Sequence, residues 1–183
     1  MAPKYRWTGP QGRSTLKKIV QKEIPQWKAG LYPPQEELIV RVMDGQDVLG
    51  CMATGAGKSA VFAVPIIVFR EMARNGNLYP DLPFRAFPVG VVVTPTKGLA
   101  ANMVLELKKL DIPAFAYCHE TVTGACISGR NLVKEIQECK TYNIIFIDPE
   151  HLRDKAWRQI MLPRLEKSSR DFGSRTKSAA DLT

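Results

Sequence analysis

The segment Met52-Ala53-Thr54-Gly55-Ala56-Gly57-Lys58-Ser59 restricts this chain more than any other stretch. Two glycines within three residues allow a backbone turn that a β-carbon would oppose, and successive N–H groups in such a turn converge on one anion. The run Asp47-Val48-Leu49-Gly50-Cys51 precedes it and reads as a strand, while the apolar stretch from Ser59 to Met72 reads as a helix. Strand, glycine-rich turn and helix together make a phosphate-binding loop. The helix N-terminus adds its partial positive charge, Lys58 reaches the β and γ oxygens of a nucleoside triphosphate, and the Ser59 hydroxyl can ligate Mg²⁺. Thr54, Gly55, Ala56, Gly57, Lys58 and Ser59 are therefore the candidate residues for ATP, with Ser59 the candidate for the metal.

A chain of 183 residues is long enough for one domain with a real core and too short for two. Its formal charge of +8 favours a polyanionic partner, nucleic acid first, although a solvated basic surface gives the same total. Cys51, Cys118, Cys126 and Cys139 show no C-x-x-C pair and match no common zinc spacing, so they read as unligated thiols suited to a reducing compartment. No signal core opens the chain, and Pro65, Arg70 and Glu71 interrupt the best apolar stretch, so no membrane partner is expected.

The remaining chain reads as an alternation of helices and strands. Residues 1–30 are a basic lead-in, loose through Arg13, with a short helix from Ser14 to Ile24 stopped by Pro25. A second helix runs from Pro34 to Met43, and Asp44-Gly45 turns into the first strand. Val89–Thr94 is β-branched enough for a strand buried on both faces. A helix over Gly98–Leu110 follows, then a strand over Ala114–Cys118 and a helix over Asn131–Cys139. A strongly apolar strand, Tyr142–Ile147, leads into a last helix carrying Leu152, Ala156, Ile160 and Met161. Arg74–Pro88 is a long surface loop, and residues 166–183 lack apolar periodicity and read as a disordered tail. This order gives an α/β fold with a parallel sheet covered by helices on both faces.

The stretch 31–165 resembles the first RecA-like lobe of superfamily 2 helicases, most closely RecQ-type DNA helicases. Five groups of residues carry the likeness. Tyr32-Pro33-Pro34-Gln35 is similar to the motif whose glutamine meets the adenine edge. The phosphate loop begins with methionine, as in RecQ proteins. Pro65 falls where the family places a proline in the next helix, and should break that helix after about two turns. Thr94-Pro95-Thr96-Lys97 is similar to a motif that holds phosphates of one nucleic-acid strand. Asp148-Pro149-Glu150 resembles the later Thr-Pro-Glu motif on the same strand, with a carboxylate where threonine is usual.

The resemblance implies a P-loop NTPase that is the ATP-binding lobe of a 3′–5′ helicase on single-stranded or forked DNA, with RNA the alternative. It also implies a nuclear location, with the cytoplasm the alternative. No apolar strand ending in Asp-Glu-x-His follows residue 165, and no second lobe is present, so a partial lobe with an unfilled sheet position is expected, unable to hydrolyse ATP or unwind alone. Two other readings stay open. One is an inert nucleotide- or nucleic-acid-binding module, the other a fragment of a DEAD-box-like RNA helicase. A rival reading of Ile144–Asp148 makes it the Mg²⁺-binding strand, with Asp148 and Glu150 as the catalytic carboxylates. Against it, Pro149 stands where the water-orienting glutamate is expected, and the position in the motif order suits Thr-Pro-Glu. A P-loop kinase or transport ATPase fits neither Gln35 nor the Thr-Pro-Thr motif.

Overall fold

The computed structural model describes residues 4–161; the expected tail lies outside them. Three parallel strands, β1 (Gly90–Val93), β2 (Ala114–Tyr117) and β3 (Ile144–Ile147), form a sheet in the order β1-β3-β2. Before the sheet come α1 (Pro10–Glu23), α2 (Pro33–Met43) and α3 (Ser59–Asn75). The crossover from β1 to β2 is α4 (Lys97–Lys108), and that from β2 to β3 is α5 (His119–Ile127) with α6 (Leu132–Gln137). A 3₁₀ turn over Pro149–Arg153 leads to α7, residues 155–161.

Handedness decides which face each helix covers. The chain moves from β1 to the far edge and then returns to the middle, so two right-handed crossovers must lie on opposite faces. They do. Ile144 and Phe146 of β3 pack in one core with Ala100 and Leu107 of α4 and with the inner faces of α1, α2 and α3. Ile145 and Ile147 point the other way, into a second core with Ala125, Leu132, Ile136, Trp157 and Ile160. All four β3 residues are buried, which is why the run Ile-Ile-Phe-Ile is apolar at every position.

Several expectations are corrected. Val89–Thr94 was expected to be buried on both faces, yet Val91 and Val93 of β1 are 38% and 50% exposed. No described strand pairs with the outer edge of β1. For the same reason the strand expected at Asp47–Cys51 does not form: residues 46–53 carry no regular structure, and Leu49 is 94% exposed. A strand is stable only beside another, and its apolar composition alone does not supply the partner. Pro65 does not break its helix. α3 continues to Asn75, because Val64, Ile66, Ile67, Val68 and Met72 are all buried. That burial, about 1.5–3 kcal/mol per large side chain, outweighs the single backbone hydrogen bond a proline removes.

The lead-in is also tighter than expected. Trp7 is fully buried, its indole donates to the Pro83 carbonyl at 2.6 Å, and the Asp44 carboxylate accepts the backbone N–H groups of Trp7 and Thr8. α1 begins at Pro10 rather than Ser14, and a β-carbon on Gly12 would lie 2.4 Å from the Trp7 α-carbon. Among the described residues, no helix is long and apolar enough to cross a membrane.

Candidate functional site

Phe62 of α3 packs edge-on against Phe146, with ring centroids 5.8 Å apart, and one turn later Ile66 reaches Gly90, the register partner of Ile144. α3 therefore runs against the strand direction, and its N-terminus lies toward the C-terminal ends of the strands, where open α/β sheets place their ligands.

At that N-terminus the phosphate loop has the backbone its sequence requires. Gly55 and Gly57 adopt φ of +81° and +69°. The backbone N–H groups of Gly55, Gly57, Lys58 and Ser59 donate to no acceptor among the described residues. Lys58 folds over the loop, its ammonium donating to the carbonyls of Ala53 at 2.8 Å and Met52 at 3.1 Å. Thr54, Gly55, Gly57, Lys58 and Ser59 are exposed, and Ala56 is half-buried. Unengaged donors, a cation and a hydroxyl at one helix start form a donor set that fits a triphosphate with its metal.

Gln35 ties this loop to α2. Its amide oxygen accepts the Tyr32 N–H at 2.9 Å, and its amide nitrogen donates to the carbonyls of Ala56 at 3.0 Å and Gly57 at 3.1 Å. A β-carbon on Gly57 would sit 2.5 Å from that nitrogen. Gln35 is 5% exposed and spends its amide on the protein backbone. The sequence placed Gln35 at the site; the structure gives it a positioning contact to the loop that the motif alone does not reveal.

The second group of candidates lies at the C-terminal ends of β1 and β3. Thr94 is 2% exposed, its hydroxyl has no hydrogen-bond partner among the described residues, and its N–H donates to the Ile147 carbonyl at 3.0 Å. Its side chain is thus buried, with a hydroxyl that no described residue engages. Pro95 is exposed. The Thr96 hydroxyl caps α4 by accepting the Leu99 N–H at 3.3 Å. Lys97 opens that helix and donates to Glu120 at 2.9 Å. Asp148 is 8% exposed, lies 3.9 Å from the Nδ1 of His151, and adds to the negative field around Lys97. Pro149 and Glu150 are exposed.

Sequence reasoning missed α5, and with it Glu120. The hydrogen bond from Lys97 holds its carboxyl far below the usual range, at about 2, and raises the lysine in turn. The strand order accounts for the pairing: β1 and β2 flank β3, so residues just beyond their ends face one another across two strand spacings, roughly 10 Å.

Residues 32–169 match the DEAD/DEAH box helicase family. The chain belongs to that family. The family carries an ATP-binding, nucleic-acid-handling helicase domain, and the three-stranded lobe is its RecA-like fold with an open sheet. Among similar proteins are the pre-mRNA-processing ATP-dependent RNA helicase PRP5 of Kluyveromyces lactis, 28% identical over 140 residues, covering 75% of this chain and 16% of that one. The probable ATP-dependent RNA helicase DDX4 of Rattus norvegicus is 32% identical over 132 residues, 69% of this chain and 17% of that one. A probable ATP-dependent RNA helicase, vasa-like, of Penaeus vannamei is 33% identical over 98 residues, 51% and 13%. The chain spans about a sixth of the length of the first two. All three are named as RNA helicases, whereas the RecQ-type resemblance pointed to DNA.

Proposed function

We propose that this chain is the ATP-binding lobe of a DEAD/DEAH box helicase that contacts the backbone of single-stranded RNA. The observation that carries the reading is the phosphate loop, with its unengaged N–H groups, held in place by Gln35. Lys58 would leave the carbonyls of Met52 and Ala53 for the β and γ oxygens, and the Ser59 hydroxyl would hold Mg²⁺. Bound Mg-ATP supplies the phosphoanhydride whose hydrolysis drives the motor. Gln35 keeps the loop carbonyls turned away from the phosphates and, with its amide already engaged, reads adenine only by exchanging one of those bonds. RNA is preferred to DNA because the relatives above are named as RNA helicases. The methionine that opens the loop is the feature that favours a RecQ-like DNA helicase instead.

On this reading the chain holds nucleotide without turning it over. Hydrolysis needs a carboxylate that orients water beside the γ-phosphate, and the surroundings of Asp148, with His151 and the field of Lys97, support a place on the nucleic-acid side. Calorimetry of Mg-ATP binding, run beside an ATPase assay with and without single-stranded RNA, tests both parts. Expected is binding with no turnover above background. Turnover that disappears in Asp148→Ala would overturn this and make Asp148 the metal carboxylate. Anisotropy with matched RNA and DNA oligomers decides the partner, and tighter DNA binding returns the RecQ-like reading.

A further inference from the structure

The rim cation at Lys97 is already occupied by the protein itself. Glu120 stands in the first turn of α5, where the helix N-terminus favours an anion, and its carboxylate takes the Lys97 ammonium at 2.9 Å. Its own backbone N–H and the Cys118 side chain also favour the charged form. An ammonium, a helix N-terminus and backbone donors are the features that recognise a phosphate oxygen. Both side chains are more than half exposed, so the pair is reached from solvent and is weak enough to exchange. Buried Asp148 adds negative field behind Lys97, and exposed Glu150 lies two residues further on.

We propose that Glu120 is a built-in competitor for nucleic-acid phosphate at Lys97, a brake on the affinity of this rim that incoming backbone must displace. The inference rests on reading the rim as a backbone-contacting surface. Removing the carboxylate should therefore add one phosphate contact without adding a residue.

The test uses the full chain and a fluorescent oligouridylate, followed by anisotropy across a salt series from about 50 to 200 mM. Glu120→Gln should bind about fivefold more tightly at the low-salt end. Its log affinity should fall more steeply with log salt, by about 0.7, the value of one extra phosphate on a single strand. Lys97→Gln/Glu120→Gln should lose both gains. If the parent binds with a salt slope and Glu120→Gln has the same slope, the competitor is refuted and the rim reading stands. If the gain survives in the double variant, Lys97 is not its seat and the inference also fails. If no variant shows salt-dependent binding, the rim reading falls and the competitor falls with it.

Discussion

Lys58 and Lys97 stand in nearly the same local setting, each at the start of a helix, and they are held in opposite ways. Lys58 precedes α3 and is satisfied by two carbonyl dipoles of its own loop. Lys97 opens α4 and is satisfied by a full negative charge from another crossover. Carbonyl dipoles hold an ammonium without cancelling its charge, so the phosphate loop stays cationic. A carboxylate cancels it, so the Lys97–Glu120 pair carries no net charge although the whole chain carries +8. Net charge therefore says little about where a polyanion is welcomed; the partner of each cation decides that.

The largest expected effect tests the first half of this comparison. Lys58→Ala should weaken Mg-ATP binding by about 1.5–3 kcal/mol, roughly ten- to a hundredfold, since a charge-assisted contact is lost. Calorimetry showing parent-like affinity would mean that the lysine stays on its carbonyls with nucleotide bound. Next comes the tie that keeps the loop in shape. Gln35→Ala removes three hydrogen bonds and should lower unfolding stability by about 2 kcal/mol in urea melts. A stability loss without any change in nucleotide affinity would separate the loop contact from adenine recognition.

On the Lys97 side, Thr96→Ala removes the cap of α4 and should cost about 1 kcal/mol, read from the same melts. A loss indistinguishable from zero would show that the helix start, and hence the lysine position, is set by packing. The smallest effect is the acid titration of Glu120. Its folded value of about 2 lies below the ordinary 4.5, so its contribution is complete above the ordinary value and disappears as pH falls through about 2. Carboxylate NMR should place the midpoint there, and Lys97→Gln should move it back up toward 4.5. No movement would mean that another group holds the carboxylate.

What the sequence revealed follows from how local each feature is. The glycine turn of the phosphate loop is local and was legible, whereas the bonds from Gln35 to Ala56 and Gly57 span more than twenty positions and the Thr96 cap was not foreseen. β3 was legible because its four apolar residues are buried on both faces. The strand expected at residues 47–51 and the burial expected of β1 were misjudged because their composition is right and their neighbours are not: burial belongs to the sheet, and among the described residues neither outer edge of this sheet has a strand beside it. Pro65 was misread because a helix rule ignores the burial on either side. The burial of Thr94 could not be read from its motif, because a motif gives identity without orientation. Glu120 was invisible because its meaning depends on a lysine 23 positions away.

The outer edge of β1 has no described strand beside it, and that would govern how this lobe behaves at high concentration. Gly90–Val93 has neither proline nor charge, and its valines are partly uncovered, so it lacks the devices by which proteins discourage strand-to-strand association. Two lobes meeting edge to edge would each gain backbone hydrogen bonds. Solubility would then fail while every helix is still folded, and a lysine at Val91 would rescue the preparation without touching the site.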